Sequence, residues 1–408
     1  IGRVRAMLDD IEQHRDEAVG RYAALLDRWT KPAFRVSDDE LSAARRAMST
    51  VFKDDFAFCK KQVTDFAKRQ RESLHDFEES FGAGITLGQK IIPVETVGCY
   101  IPGGKYPLIS AAIMSVATAK VAGVPHVIGA APPRNGEAMY APTLYALAES
   151  GADEIYTIGG VQAFASMAYG CVGMKPVDMI TGPGNAYVAE AKRQLFGRVG
   201  IDLPAGPTEI LIIADETADP SLVATDLLGQ AEHGPDSPAW LITTSEKFGR
   251  EVLNEIERQL PTADVAGAAW RRWGEVAVVE DDDAAIALSD EYAPEHLELQ
   301  TRHDDYYLSR LGNYGSLFVG EESTVAYGDK GVGTNHTLPT GRAARYTGGL
   351  WVGKFLKTVT YQRLTQEASQ RIAPIIGRMC HTEGMLAHEI TADVRAQRYA
   401  QRARASGD

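Results

Sequence analysis

Two side chains able to bind a metal ion, Gln230 and His233, stand three residues apart just before Gly234-Pro235. Asp219 and Pro220 are typical of a helix start and Gly234-Pro235 of a helix end, so the pair belongs to the last turn of a predicted helix. Residues three apart share one helix face and point to a common position. Taken alone, the pair is more typical of polar side chains that cap the last helical carbonyls than of a metal site.

A carboxylate and an imidazole lie side by side at Glu295-His296. Pro294 restricts Ala293 to extended backbone, and the alternation over 293–299 predicts a strand, so the pair stands at a strand entrance. Two adjacent bases with different pKa values can divide proton transfers between them. A Glu-His pair with a purely structural role accounts for the pattern equally well.

Further candidate ligands follow in the stretch 328–336, which is too rich in glycine for a core segment and is predicted to be a loop. Asp329 is a candidate oxygen ligand and His336 a candidate substrate contact. Glu383 and His388 are five residues apart and would not share a face of one regular helix, so Glu383 is predicted at a helix start. Such a mixed nitrogen and oxygen set suits zinc or a similar divalent ion, although spacing alone does not assemble it.

The elements that must position these residues alternate between short apolar runs and helices from residue 92 onward. This alternation predicts βαβ units with mainly parallel sheets, arranged as two Rossmann-like lobes. The N-terminal segment, with a capping box at 37–40, and the residues beyond 355 are predicted to be helical. Besides 293–299, the predicted strands are 97–101, 126–131, 154–158, 177–181, 209–214, 239–243, 275–280 and 316–319.

Open α/β sheets bind ligands outside the carboxyl ends of their strands. In this chain those ends lead into the loops 102–107, 159–162 and 182–185 and into the segment before the helix of Gln230. The loop Gly182-Pro183-Gly184-Asn185 offers backbone N–H groups to a pyrophosphate or a ribose. It is not the six-residue dinucleotide fingerprint, and a tight turn accounts for its glycines equally well.

Composition limits the class of protein. The 408 residues are 44% hydrophobic and 24% charged, as in ordinary globular proteins, and the net charge of −13 argues against a general nucleic-acid or anionic-membrane binder. No apolar run approaches the roughly 20 residues that span a bilayer. The four cysteines lack pairing or metal-ligand spacing, which is typical of a reducing compartment, so we expect a cytoplasmic protein. Residue 1 is Ile, and we expect that the biological start lies upstream of it.

Eight motifs, in this order, resemble the histidinol dehydrogenase family, and together they cover nearly the whole chain. A series of this length in a fixed order is highly specific. The motifs are Pro102-Gly103-Gly104, Gly160-Val161-Gln162-Ala163, Gly182-Pro183-Gly184-Asn185, Pro204-Ala205-Gly206-Pro207-Thr208-Glu209, Gln230-Ala231-Glu232-His233, Pro294-Glu295-His296-Leu297, Gly333-Thr334-Asn335-His336 and Glu383 to His388.

The resemblance implies a zinc-dependent homodimer that oxidises a primary alcohol through an aldehyde to a carboxylate with two NAD. Proton transfer falls to Glu295 and His296. The implied zinc ligands are Gln230, His233, Asp329 and, from the other subunit, His388. The implied NAD contacts are Tyr100, Gln162 and Asn185. Substrate contacts are expected from Thr208, His336 and Glu383, as well as from His296 and the zinc ligands.

The resemblance also implies a division of the chain. A helical N-terminal segment and the start of one lobe occupy 1–99, and a Rossmann-like lobe on the NAD side occupies 100–210. The lobe with the zinc and catalytic residues is expected over 211–345, and a helical dimerisation region over 346–408.

The chain departs from the family pattern mainly in charge. Family members usually carry an acid where this chain has Gly234 or Lys354, a tyrosine at Lys330, a serine at Thr208 and small residues at Lys105-Tyr106. More positive surroundings suit an anionic substrate better than the cation histidinol. Lysines that point into solvent would carry no such meaning.

Within the family, the stretch 345–355 is most similar to the branch that oxidises 2,3-dihydroxypropane-1-sulfonate to sulfolactate, and this diol is the predicted substrate. Glu383 favours the alternative, L-histidinol, because in histidinol enzymes that position meets the substrate amine. A zinc hydrolase or lyase on the same scaffold is a more distant alternative. A non-catalytic binding protein is disfavoured by the complete set of ligands and by Glu295-His296.

Overall fold

The computed structural model describes residues 1–103, 106–203 and 206–405, which form two compact units. The first unit comprises Ile1–Arg71 and Pro93–Phe355, and the second comprises Glu72–Ile92 and Leu356–Asp408. Lys105, one of the lysines in the charge argument, lies outside the described residues.

Strands are numbered in chain order. They are β1 Phe77–Ser80, β2 Ile85–Pro93, β3 Thr96–Tyr100, β4 His126–Ala131, β5 Pro133–Arg134, β6 Ala138–Met139, β7 Glu154–Thr157, β8 Met179–Thr181, β9 Gly200–Ile201, β10 Ile210–Ala214, β11 Ala239–Thr243, β12 Gly274–Val278, β13 His296–Gln300, β14 Ser316–Val319 and β15 Leu356–Leu364.

The α-helices are α1 Gly2–Tyr22, α2 Asp38–Ala47, α3 Thr50–Glu72, α4 Ser110–Ala112, α5 Thr118–Ala122, α6 Ala141–Ser150, α7 Gly160–Tyr169, α8 Ala186–Leu195, α9 Pro220–Ala231, α10 Glu246–Gln259, α11 Asp264–Trp273, α12 Asp282–Tyr292, α13 Asp304–Arg310, α14 Val325–Lys330, α15 Gln366–Thr382 and α16 Leu386–Ala405. Single turns of π-helix (Ala23–Asp27, Ile113–Ala117) and of 3₁₀-helix (Leu260–Thr262, Ala343–Arg345, Val352–Phe355) complete the list.

The first unit contains two five-stranded sheets with the same topology. The first lobe has the strand order β7-β4-β3-β8-β9, and the second lobe has β12-β11-β10-β13-β14. All pairs in both sheets are parallel. Each lobe therefore has the order 3-2-1-4-5 of a Rossmann-like half, and the predicted fold is confirmed.

Strand β10 shows why such strands read as continuous apolar runs. All five of its residues are buried, with Ile210 and Ile212 in the hydrophobic core on one face and Leu211 and Ile213 in the core on the other. Side chains alternate between the faces of a strand, so a strand covered on both sides must be apolar at every position. Each such side chain contributes about 1.5–3 kcal/mol by burial, which keeps the centre of the second lobe rigid.

Helix α9 begins where the sequence predicts, but it ends two residues before His233, which was predicted to lie in its last turn. The Asp219 side chain accepts a hydrogen bond from the backbone N–H of Ser221, and Pro220 occupies the first turn. The helix ends at Ala231, just before Gly234-Pro235. The capping box at Ser37 and Glu40 also forms as predicted.

The second unit corrects the prediction that residues beyond 355 are helical. Leu356–Leu364 is a strand, β15, that lies beside β2 in a three-stranded sheet with β1, and helices α15 and α16 follow it. Its sequence contains the β-formers Thr358, Val359, Thr360 and Tyr361, which need a neighbouring strand to be stable. The neighbouring strand, β2, comes from far upstream in the chain, and the alternation of its residues was not identified as a strand.

Among the described residues, no helix combines the length and the apolar character that crossing a bilayer requires.

Candidate active site

A cavity of about 1080 Å³ opens in the first unit, between its two lobes. Its lining brings together all ten predicted site residues of this unit, although they come from segments that span more than half of the chain. They are Tyr100, Gln162, Asn185, Thr208, Gln230, His233, Glu295, His296, Asp329 and His336.

The two lobes present opposite edges of their sheets to this cavity. The first lobe contributes residues that follow the carboxyl ends of β3, β4, β7 and β8, as predicted for 102–107, 159–162 and 182–185. The second lobe contributes residues at the amino ends of β10, β11 and β13. The prediction for the segment before α9 is therefore wrong, because that segment follows the carboxyl end of β10 and lies at the other edge of the sheet.

The Gln230 side chain is oriented to bind a cation through its carbonyl oxygen. Its side chain is buried, and its Nε2 donates to Thr208 Oγ1 at 2.5 Å and lies 3.4 Å from His296 Nδ1. The amide nitrogen is thus occupied by protein, whereas Oε1 has no hydrogen bond within the part of the chain described. This is the arrangement that a cation ligand requires, since only the oxygen of the amide can bind a metal ion.

His233 and Asp329 supply two further donors to the same cavity. His233 lies two residues after the end of α9, and the surrounding protein lowers the pKa of its imidazole by desolvation. Asp329 lies in the last turn of the short helix α14, not in a loop as predicted, because the helix continues to Lys330 before the glycines end it. Burial opposes ionisation of Asp329, but the contact with His296 and nearby positive charges hold its pKa well below the usual range.

Across the described residues, no group of three or more His, Cys, Asp or Glu side chains is arranged to hold a metal ion. Of the four implied zinc ligands, only His233 and Asp329 belong to those residue types and line this cavity. The third donor is the Gln230 amide, and His388 belongs to the second unit. The donors that are present nevertheless fit a divalent ion, since they are one imidazole, one carboxylate and one amide oxygen.

His296 presents one ring nitrogen to the cavity. Its Nδ1 lies 3.0 Å from the backbone oxygen of Glu209 and 3.3 Å from Glu295 Oε2. Its Nε2 is buried without a hydrogen-bond partner among the described residues, 3.7 Å from Asp329 Oδ1. Burial favours the neutral ring, but the Glu295 and Asp329 carboxylates outweigh it and raise the pKa of His296 to about 10.

Glu295 is fixed by donors from the strand next to it. Its Oε2 accepts hydrogen bonds from Thr208 Oγ1 at 2.5 Å and from the Glu209 N–H at 3.0 Å. Glu209 is itself buried, and burial together with the charge of Glu295 raises its pKa to about 7. Two acids therefore share this end of the sheet, and the protonated form of Glu209 is favoured by burial and by its neighbour.

His336 completes the wall beside Asp329. Its Nδ1 lies 2.7 Å from the Asp329 backbone oxygen, and its Nε2 is buried and has no hydrogen-bond partner in the part of the chain that the structure describes. Desolvation lowers the pKa of His336, so a neutral imidazole with one free nitrogen is favoured here.

The predicted backbone geometry before Glu295 is wrong. Ala293 has φ 47° and ψ 59°, in the left-handed region, instead of the extended conformation expected before Pro294. It ends helix α12, and its N–H donates to the Ser289 oxygen at 2.8 Å. The need to end the helix and enter β13 within a few buried residues overrides the local preference of a residue that precedes proline.

On the first lobe, two of the predicted cofactor residues, Tyr100 and Gln162, make contacts around the segment 159–162. The Tyr100 hydroxyl accepts from the Gly160 N–H at 3.2 Å, and burial raises its pKa to about 12. Gln162 is fully buried, and its Nε2 donates to Asp27 Oδ2 at 2.9 Å. Asp27 also lines the cavity. Its role could not be predicted from the sequence, because the helical segment that it ends carries no recognisable motif.

Asn185 has a different local role from the one predicted for its loop. Its Oδ1 accepts from the N–H groups of Tyr187 and Val188 at 3.0 and 3.1 Å and so caps helix α8. These two N–H groups are not free for a pyrophosphate. The exposed side chain still lines the cavity, where its amide nitrogen is available.

The positions that depart in charge do not share one environment. Lys330 and Gly234 line the cavity, and a side chain at Gly234 would have room because its nearest neighbour, Ser237 Oγ, would be 4.0 Å away. Lys354 is half-buried and donates from Nζ to Thr347 Oγ1 at 2.9 Å, and it is not part of the cavity lining. Lys354 therefore gives no support to an anionic substrate.

Glu383 and His388 belong to the second unit, where both are exposed. Glu383 stands at the carboxyl end of α15, so the prediction of a helix start is wrong. The sequence does not show whether Glu383 ends one helix or starts the next, because Gly384 ends one helix only two residues before the next begins.

A buried pair of acids, Asp226 and Glu298, lies behind the site and was also missed. Asp226 accepts from Gln300 Nε2 at 3.1 Å and from Thr324 Oγ1 at 3.0 Å, and Glu298 Oε1 accepts from the Val325 N–H at 3.0 Å. Glu298 Oε2 is buried beside Asp226, and a proton on it allows it to donate to that carboxylate.

The acid pair ties together three elements that carry the site. Asp226 belongs to α9 with Gln230, Glu298 belongs to β13 with His296, and the residues they bind open helix α14. Burial and the charge of Asp226 raise the pKa of Glu298 to about 8, so the protonated form is favoured at neutral pH.

The chain is similar to known proteins over nearly its whole length. The sequence model of the family described as histidinol dehydrogenase matches residues 1–396. A Shouchella clausii protein named histidinol dehydrogenase homolog is 53% identical over 97% of this chain and 94% of its own length. The sulfopropanediol 3-dehydrogenase of Ruegeria pomeroyi is 48% identical over 97% of this chain and 92% of its own. The crystal structure of histidinol dehydrogenase from Elizabethkingia anophelis has a TM-score of 0.92 at 35% identity, covering 97% of this chain and 92% of that one.

The acid pair makes stability depend on pH in a defined direction. Because the folded pKa of Glu298 is about 8 against an ordinary 4.5, its stabilising contribution is complete at low pH and is lost as pH rises through the folded value. Glu298→Gln carries no such loss. We expect its melting temperature relative to the parent to become more positive from about pH 5 to about pH 9.

Thermal unfolding of both proteins across this pH range measures the effect. Glu257→Gln, at an exposed glutamate on α10, is the control, and its difference from the parent should not change with pH. If the difference in melting temperature between Glu298→Gln and the parent does not change with pH, Glu298 and Asp226 do not share a proton.

Proposed function

Because this chain belongs to the histidinol dehydrogenase family of NAD-dependent oxidoreductases, which carry out the four-electron oxidation of an alcohol to an acid, we propose that it converts 2,3-dihydroxypropane-1-sulfonate to sulfolactate. The balanced reaction takes the primary alcohol, two NAD⁺ and one water to the carboxylate, two NADH and three protons. The observation that carries the proposed chemistry is the buried Nε2 of His296, which no described residue hydrogen-bonds and which faces the cavity beside Asp329.

We propose that Gln230, His233, Asp329 and the partner subunit's His388 hold a zinc ion. The free Oε1 of Gln230 and the depressed pKa values of His233 and Asp329 support this, since metal ligands must be deprotonated. A bound zinc ion would polarise the substrate hydroxyl, lower its pKa and oppose the carboxylate charge that now favours protonated His296.

His296 would accept the proton of the alcohol while hydride passes to the nicotinamide. Its Nδ1 is held by the Glu209 oxygen, so the ring is oriented with Nε2 toward the cavity. Glu295 would then accept a proton from the water that hydrates the aldehyde, and the hydrate would lose the second hydride. Thr208 and the Glu209 N–H fix that carboxylate in place for this role.

The first lobe is proposed to bind NAD in contact with Tyr100, Gln162 and Asn185. All three side chains line the cavity at the carboxyl edge of a Rossmann-like sheet, which is the edge where such sheets bind nucleotides. Gln162 would act mainly through the network around Asp27, because its own side chain is fully buried.

Two positions in the cavity lining, Lys330 and Gly234, support an anionic substrate. The Lys330 side chain is 58% exposed and lines the cavity, and Gly234 leaves open a position where family members usually carry an acid. The relative named sulfopropanediol 3-dehydrogenase is 48% identical, against 35% for the solved histidinol dehydrogenase. L-Histidinol is the second candidate, and Glu383 is the residue that favours it.

A homodimer with shared active sites is also proposed. Helices α15 and α16 of the second unit expose a set of large apolar side chains that a partner subunit would cover. They are Ile375, Ile376, Met379, Leu386, Ile390 and Val394. His388 lies on the same helix as three of them, so covering this surface would bring a partner close to that histidine.

The substrate is tested by paired kinetics. We expect kcat/KM for 2,3-dihydroxypropane-1-sulfonate to exceed that for L-histidinol. Lys330→Met should raise KM for the sulfonate roughly tenfold, equivalent to about 1.4 kcal/mol, with a smaller change in kcat. Gly234→Asp should lower kcat/KM for the sulfonate more than for histidinol, because it adds an acid inside the cavity.

Lys354→Met is the matched control, since Lys354 is bound to Thr347 and should leave both KM values unchanged. A higher kcat/KM for histidinol in the parent enzyme would show that the charge argument is wrong.

The division of proton transfers is tested with Glu295→Gln. The amide can still accept from Thr208 and Glu209 but cannot take a proton, so we expect the overall rate to fall by about 10²–10⁴. In a single turnover, NADH per alcohol should fall from two toward one, with free aldehyde detectable by trapping. His296→Gln should slow both oxidations. Two NADH formed at equal rates by Glu295→Gln would contradict the assigned role.

The shared site is tested by mixing two inactive variants, His388→Ala and Glu295→Gln. If His388 acts in the partner's site, each mixed dimer contains one site free of both changes, and activity returns on refolding the two together. If His388 acts in its own subunit, every site keeps one defect and no activity returns. Zinc content should be reduced in His388→Ala but not in Glu295→Gln.

A further inference from the structure

The first lobe lacks an acid at the place where dinucleotide-binding sheets usually carry one. In Rossmann-like lobes, a carboxylate near the end of the second strand binds the ribose hydroxyls of NAD. Here the second strand is β4, and it ends in Ala130-Ala131 followed by Pro132-Pro133. None of these side chains accepts a hydrogen bond.

Asp27, from the end of the N-terminal helical segment, places a carboxylate next to this position. Its Oδ2 accepts from the Gly159 N–H at 3.0 Å and from Gln162 Nε2 at 2.9 Å. A Cβ on Gly159 would lie 2.7 Å from Pro132 Cβ and 3.0 Å from Asp27 Oδ1. The carboxylate therefore lies beside the ends of β4 and β7, packed so closely that position 159 must be glycine.

Only one oxygen of this carboxylate is used by the protein. Both hydrogen bonds end on Oδ2, whereas Oδ1 has no hydrogen bond from any described residue. Asp27 is half-buried and lines the cavity. Two donors on one oxygen fix the rotamer and leave the other oxygen as an oriented acceptor, which is what recognition of a hydroxyl requires.

The neighbouring residue is a cation with a fixed backbone. Arg28 has φ 56° and ψ 25°, in the left-handed region, and also lines the cavity. Its carbonyl oxygen would lie 2.6 Å from a Cβ on Gly136, so only glycine lets the two backbones pass. Its guanidinium forms no ion pair with any described residue. Arg28 would attract a phosphate on the ribose, whereas the Asp27 carboxylate would repel it.

We propose that Asp27 accepts hydrogen bonds from the ribose hydroxyls of the dinucleotide and thereby selects NAD over NADP. This inference rests on the proposed binding of a dinucleotide by the first lobe. A 2′-phosphate would remove the hydroxyl donor and bring a second negative charge against the carboxylate. In the absence of that carboxylate, Arg28 would be free to bind the phosphate.

The test compares Asp27→Asn, Arg28→Ala and the double variant. Direct titrations of NADH and NADPH, followed by cofactor fluorescence, need no alcohol substrate and are paired with kcat/KM for NAD and NADP. Asp27→Asn should weaken NADH binding roughly tenfold and strengthen NADPH binding roughly tenfold, which shifts the ratio about 100-fold. Adding Arg28→Ala should remove the gain for NADPH, while Arg28→Ala alone should change NADH binding little.

Asp16→Asn is the matched control for a merely structural role. Asp16 lies on the same N-terminal segment and anchors the Val172 N–H at 2.7 Å, but it does not line this cavity. We expect it to leave the ratio of NADH to NADPH affinity unchanged. Melting temperatures of all variants, measured in parallel, separate loss of folding from loss of recognition.

The proposal would be overturned if Asp27→Asn melts normally and loses NADH and NADPH binding in equal proportion. In that case Asp27 would only anchor the loop 159–162, and its loss would weaken binding of both cofactors alike. The more conservative Asp27→Glu replaces it if the amide variant does not fold, and it should retain the preference for NADH. A parent enzyme that binds NADH over NADPH but does not oxidise the sulfonate would refute the proposed substrate without affecting this inference.

Discussion

The pairing of β10 with β13 is the constraint on which the site depends. Their register sets Ile210 opposite His296, so the residues before each strand emerge side by side at one edge of the sheet. Glu295 then lies within reach of two donors from the neighbouring segment, and the His296 ring within reach of the Glu209 oxygen. A shift of one residue would turn every side chain of β13 to the other face and separate Glu295 and His296 from these partners.

The same sheet explains why buried acids are tolerated around the site. Glu209, Glu295 and Glu298 are all buried within one lobe, and each accepts at least one backbone hydrogen bond. Backbone donors offset part of the cost of burying a carboxylate, and protonation removes much of the rest, as the raised pKa values of Glu209 and Glu298 indicate. The result is a rigid, polar end of the sheet in which Glu295 is held by two donors.

The cavity joins unlike edges of two like sheets, and this sets its chemistry. The first lobe offers the carboxyl ends of its strands, the usual place for a nucleotide, and supplements them with Asp27 from outside the sheet. The second lobe turns its amino ends to the cavity and adds the carboxyl end of helix α9 with Gln230 and His233. A helix end with oxygen acceptors suits a cation, as the amino edge of a sheet with fixed carboxylates also does. The proposed cofactor and metal sites therefore lie on opposite walls of the cavity.

Local patterns in the sequence were sufficient for the alternating strands and helices, the cap of α9 at Asp219 and the two Rossmann-like lobes, because these depend on short-range periodicity and capping. The ordered motifs identified the family. Tertiary structure alone decided that Glu298 meets Asp226, that Lys354 turns to Thr347 and that Asp27 lines the cavity beside Gln162. It also overrode the extended backbone expected at Ala293. Such contacts join residues far apart in the chain, and their direction is set by packing, which no local pattern encodes.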